Sequence, residues 1–205
     1  TNGNSFFSFF EKIKNATKSP IVSDNATDAS TDYNFIAAGD WYCNEETKKT
    51  INNIIRENPE LVITTGDHVK DTTSASCWIE MSKPIKDKMK IAIGNHDAEF
   101  ANIYKQIVDY HNVKNPFYSY DFNNVHFISM STEHPFENGS KQYEFIQNDL
   151  EKTSKKSSID WIVIHQHKPM YSTKHDKKEA NQLRDTYQEL FQQNDVDLVI
   201  SSHNQ

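Results

Sequence analysis

The sequence predicts an α/β domain, and three observations carry that reading. Short apolar runs are too continuous for strands with one wet face, amphipathic stretches lie between them, and polar residues of metal-ligand type stand where the runs end. The alternation starts at Phe35, so residues 34–205 are expected to form one domain. A chain of 205 residues can bury one sizeable core and is too short for two large ones.

Residues 1–33 combine Phe6, Phe7, Phe9 and Phe10 with a stretch rich in Asn, Thr, Ser and Asp that ends at Asp32. That composition buries little surface, so the segment reads as a polar tether. The alternatives are a Phe cluster that packs on the domain, or the stub of an upstream anchor. The expected core strands then follow in order: FIAAG (35–39), LVITT (61–65), KIAIG (90–94), WIVIH (161–165) and DLVIS (197–201). Helical stripes separate them, formed by Ile51, Ile54 and Ile55, by Phe100, Ile103, Tyr104, Ile107 and Val108, and by Leu183, Tyr187, Leu190 and Phe191. A hairpin interrupts the alternation. FYSYDF (117–122) and VHFISM (125–130) are joined by Asn123 and Asn124, residues that tolerate the positive φ of a tight turn. So few residues follow the last strand that the domain is expected to continue past Gln205.

The charge balance excludes one class of partner. With 29 acidic residues against 22 Lys and Arg, a net of −7, no basic field is available to gather nucleic acid or anionic lipid. No apolar run approaches the length of a membrane span. Cys43 and Cys77 leave one disulfide, two buried thiols or a coincidence open. The sequons at Asn15, Asn25 and Asn138 lean towards the disulfide and an extracytoplasmic or secreted chain. Both cysteines follow a strand-end aspartate, which makes the bond geometrically plausible.

The strand ends carry the chemistry. They read Gly39-Asp40, Gly66-Asp67, Gly94-Asn95-His96-Asp97, His165 with His167, and His203. In a largely parallel sheet these carboxyl ends share one edge, the usual place for a ligand in an α/β protein. Carboxylates, an amide oxygen and imidazoles together suit Fe, Zn or Mn better than Mg or Ca.

The order GD, GD, GNHD, HxP and a terminal SHxx resembles the calcineurin-like metallophosphoesterases, and the purple acid phosphatases most. FYSYDFNNVHFISMSTEH (117–134), WIVIHQHKPMYS (161–172) and RDTYQELFQQNDVDLVISSH (184–203) extend the similarity. The resemblance implies a layered sandwich of two β-sheets flanked by helices. It also implies hydrolysis of a small-molecule or peptide-borne phosphate ester by metal-bound hydroxide between two ions about 3.5–4 Å apart. Carried over, Asp67 bridges the metals, and Asn95, His167 and His203 complete one site. Asp40, Asp67, a tyrosine and a histidine make the other. His96 assists the leaving group, and His175 reaches the phosphate.

The sequence departs from this pattern at two ligands. Lys70 stands at the tyrosine position and Gln205 at the histidine position. An amide is a poorer ligand than imidazole for such metals, whereas an ammonium beside Asp40 and Asp67 can neutralise them in place of an ion. The expectation is therefore a one-metal site with Lys70 as surrogate cation. His68 and His165 are the substitute ligands to consider. A phosphoesterase-like binding or surface module that has lost hydrolysis is the competing function.

Overall fold

The computed structural model describes residues 9–13, 33–70, 74–173 and 177–203. Their strands form two sheets. In the first, β1 (Phe9–Ile13) pairs antiparallel with β2 (Tyr33–Ala38), which is parallel to β3 (Leu61–Thr64), itself parallel to β4 (Met89–Ile91). In the second, β5 (Tyr118–Phe122) and β6 (Val125–Ser129) form the expected hairpin, with Asn123 at φ 52°. Parallel strands β7 (Trp161–His165) and β8 (Leu198–Ile200) complete that sheet.

The α/β class and the two-sheet sandwich both stand. The site-bearing strands divide between the sheets, β2 to β4 in one and β7 and β8 in the other. Within the stretch read as a tether, Phe9–Ile13 is a strand on the edge of the first sheet. The Asn15 and Asn25 sequons lie outside the described residues.

Alternation along the strands explains the continuous apolar runs. Phe35 and Ala37 of β2 face inward to meet Val125, Phe127 and Val163 of the other sheet, with Phe35 and Phe127 edge to face at 5.6 Å. Ile36 and Ala38 face outward onto helices. Every strand of this kind is covered twice, and each fully buried Val, Ile or Phe contributes about 1.5–3 kcal/mol.

The outer layer of the first sheet is α1 (Glu45–Glu57), α2 (Ser76–Ser82) with a 3-10 turn over Lys83–Lys88, α3 (Asn95–Ala98) and α4 (Ala101–Tyr110). Helices α5 (Lys141–Thr153) and α6 (Lys177–Gln193) cover the second sheet. Asn44 starts α1 with a capping box: its side chain accepts from Thr47 N at 3.0 Å, and Thr47 Oγ1 accepts from Asn44 N at 3.2 Å. None of the described helices is long and apolar enough to cross a membrane.

Candidate metal centre

The loops after β3 and β4 pack backbone to backbone, and two glycines make this possible. A Cβ on Gly66, whose φ is +95°, would lie 2.5 Å from Gly94 N, and one on Gly94 would lie 2.2 Å from Asp67 Oδ1. No side chain fits either gap. The close approach sets the Asp67 carboxylate against the first turn of α3, where His96 N donates to Asp67 Oδ1 at 3.0 Å. The loops from the other sheet close the edge: Ser202 Oγ donates to Thr65 O at 2.9 Å, and His203 N donates to Asp40 Oδ2 at 3.1 Å. Asp40, Asp67 and His203 all have left-handed backbones, with φ of 53°, 54° and 71°. Such strain, about 1–3 kcal/mol per residue, clusters at functional sites.

Four of the expected ligands converge. One donor atom from each of Asp67, His167 and His203 lies within 4.8 Å of the others. His167 Nε2 is 3.4 Å from Asp67 Oδ1, 3.1 Å from His203 Nδ1 and 2.9 Å from Asn95 Oδ1. Donors arranged tetrahedrally at about 2.0–2.2 Å from a transition metal stand about 3.3–3.6 Å apart. The Asp67 spacing meets that, and the His203 and Asn95 donors, at 3.1 and 2.9 Å, would have to part by about a few tenths of an ångström to take one ion. His167 Nδ1 faces Thr65 O at 2.8 Å, and donation there leaves Nε2 to the ion. Burial opposes charge on both Asp67 and His167, yet their mutual attraction prevails. It holds the Asp67 carboxyl below its ordinary range and His167 above.

The second set is different. Burial, with the repulsion of Asp67, raises the Asp40 carboxyl despite the opposing pull of His167. The group that meets both carboxylates is Tyr42, whose side chain hydrogen-bonds with Asp40 and with Asp67. Lys70, assigned above to neutralise them, is exposed and stands over the Tyr42 ring, with Nζ 4.8 Å from its centroid. Gln205 and His175 lie outside the described residues.

The two substitute ligands sit elsewhere. His68 is fully buried, with Nδ1 2.8 Å from Asp97 Oδ2 and Nε2 2.6 Å from Thr64 Oγ1, so both ring nitrogens are engaged on the helix side of the sheet. His165 is buried with Nε2 3.4 Å from the Tyr120 hydroxyl, and burial pushes it down to about 3. His96 lies at the rim, Nε2 4.0 Å from Asp67 Oδ2, its side chain 24% exposed. Cys43 and Cys77 are joined by a disulfide, Cα to Cα 6.2 Å, which ties the Asp40 loop to α2.

Known proteins agree with this architecture. The family model for the calcineurin-like phosphoesterases matches residues 33–204, and the chain belongs to that family. Within it, the similarity is to the purple acid phosphatases. Purple acid phosphatase 21 of Arabidopsis thaliana is 26% identical over 188 residues, covering 82% of this chain and 43% of its own. Probable inactive purple acid phosphatase 9 of the same plant is 34% identical over 93 residues, 44% of this chain and 14% of its own. Among solved structures, the purple acid phosphatase PPD1 from yellow lupin (Lupinus luteus) seeds superposes with a TM-score of 0.61 at 20% identity, covering 85% of this chain and 40% of its own. GAP50, the anchor in the inner membrane complex of Plasmodium, superposes with a TM-score of 0.59 at 18% identity, covering 83% and 65%. The chain spans less than half the length of each of these plant relatives.

Two contributors were missed by sequence reasoning. Tyr42 had a signal, since it lies two residues after Asp40 on the same turn. Asp97 also had one, as the last residue of GNHD; its carboxylate accepts from His68 N at 2.8 Å and Gly94 N at 3.0 Å and knits the two glycine loops together.

Proposed function

We propose that the chain is a phosphoesterase-like module that holds one transition-metal ion and acts by binding rather than by turnover. The observation behind this is the asymmetry of the centre. Asp67, Asn95, His167 and His203 converge on one point, whereas both Asp40 oxygens face the His203 amide and Tyr42 bonds to Asp40 and Asp67 together. The ion would be Fe, Zn or Mn; when bound it supplies Lewis-acid charge against a phosphate oxygen. His96, at the rim, is positioned to donate to the same phosphate, and His175 is assigned the same role. A pair of ions stabilises both the attacking and the leaving oxygen, and a single ion leaves one of them without support.

The ligand class is a phosphate ester, on a small molecule or a peptide. The family gives that chemistry, and the Plasmodium anchor of the same fold offers a parallel for an anchoring role. The Cys43–Cys77 bond suits an oxidising, extracytoplasmic setting. Hydrolysis is the second reading, favoured by the position of His96 beside Asp67. Elemental mass spectrometry together with p-nitrophenyl phosphate turnover separates the two. One metal per chain and no turnover is the expected result. Turnover that disappears in both Asp67→Asn and His96→Ala establishes the hydrolase instead.

A further inference from the structure

Tyr42 is held by contacts that no ligand assignment uses. Its φ is 55°, in the left-handed region, and Cys43 beside it has φ 53°. An aromatic residue there carries strain of about 1–2 kcal/mol, so other contacts must stabilise the turn. The Tyr42 amide donates to Asp67 O at 3.0 Å, fixing the residue over the bridging aspartate. The ring stands edge-on to His96 at 5.8 Å between centroids, with the Lys70 ammonium over it at 4.8 Å. From this position the side chain hydrogen-bonds with Asp40 and Asp67 at once. Asp40 also receives the His203 amide, 3.1 Å from Oδ2.

The geometry points to Tyr42 as a built-in occupant of the second metal position. An ion held by Asp40 and Asp67 would sit about 2.0–2.2 Å from an oxygen of each, and the Tyr42 phenol is directed at the same two carboxylates. Each of the two carboxylates has a donor from the chain itself, as a buried polar group requires. The Lys70 ammonium over the ring adds positive charge that opposes entry of a second cation. The inference rests on the one-metal reading above and supplies its cause: the second ion is excluded by a tyrosine from the β2 loop, in addition to the ligand changes at Lys70 and Gln205.

Tyr42→Gly is the decisive variant, because glycine takes a left-handed backbone without strain. Wild type and variant are equilibrated by dialysis against Mn(II) or Zn(II), and metal per folded chain is measured by elemental mass spectrometry. One equivalent in the wild type, and a second, weaker one in Tyr42→Gly, is expected. One equivalent in both proteins overturns the occupant role and leaves the one-metal reading standing. Two equivalents in the wild type overturn both, whatever the variant binds. A second measurement starts from the wild type alone. Titration of the wild type with Fe(III) is expected to give no phenolate-to-iron charge-transfer absorption in the visible. Such a band, absent from Tyr42→Phe, would make Tyr42 a ligand and overturn the proposal.

Discussion

Gly94 shows how little freedom single positions have here. A methyl group at residue 94 meets Asp67 Oδ1 at 2.2 Å, so Gly94→Ala must displace the carboxylate on which the metal site depends. Loss of at least ten-fold in Zn affinity, read by competition with a chromogenic chelator, is the expected outcome. Titratable side chains away from the centre set the pH response. Burial works against the charge on His126, but hydrogen bonds to Asp149 and Asp121 outweigh it and raise its proton affinity. A raised folded value means that its stabilisation is complete below about 6.5 and is lost as pH climbs through the folded value. His111, by contrast, is pushed down to about 3 by burial and by the charges of His68 and Lys86. The unfolded chain therefore takes up a proton below about 6.5 that the native chain refuses, and stability declines as pH falls. Thermal midpoints from pH 4 to 9 should fall on both sides of a maximum near pH 6 to 7. In His126→Asn the alkaline decline should flatten and the acid one remain; an unchanged alkaline limb would remove His126 as its cause.

At the scale of elements, the loop from β2 into α1 is fastened twice where it meets the helix. The capping box of Asn44 and Thr47 starts the helix, and Asn44→Ala should cost about 1 kcal/mol in chemical denaturation. The Cys43–Cys77 bond closes a span of 34 residues, for which chain entropy predicts that reduction costs about 3–4 kcal/mol. Beneath that bond, Trp41 and Trp78 are fully buried with rings 5.2 Å apart, and Trp78 also lies against His68 at 4.6 Å. Trp78→Ala should cost about 3–5 kcal/mol and loosen the histidine that bonds Asp97. Amide exchange at Asp67 and His68 in that variant provides the readout, and unchanged protection there would uncouple the wall from the site.

For the whole molecule, the centre is a junction between two sheets, and metal binding should therefore act on global stability. Asp67 comes from the loop after β3 and Asn95 from the start of α3, both on the first sheet, and His167 and His203 come from loops of the second. An ion that binds only the folded chain stabilises it by about 2.7 kcal/mol at a hundred times its Kd. Differential scanning calorimetry with and without Zn should show a single cooperative transition moving upward, and Asp67→Asn or His167→Ala should abolish the shift. Two transitions, with only one of them metal-sensitive, would mean that the sheets unfold independently.

Much of this was legible in the sequence. Strands buried on both faces must be apolar at consecutive positions, and turns that leave them must carry glycine and ligand residues, so the α/β class and the residues of the converging site followed from local pattern and resemblance. Helix α5 was not legible, because it buries Gln142 and Thr153 along with Ile146 and Leu150, and that thin stripe lies below what periodicity detects. Tertiary structure alone decided which polar groups meet. It turned His68 toward Asp97 and Thr64, enclosed His165 beside Tyr120, set Lys70 on an aromatic ring and brought Tyr42 to two carboxylates. The reason is physical: residue type and spacing determine which side chains reach the edge of the sandwich, but the partner of each depends on loop backbones in left-handed conformations, and those are fixed by packing between segments far apart in the chain.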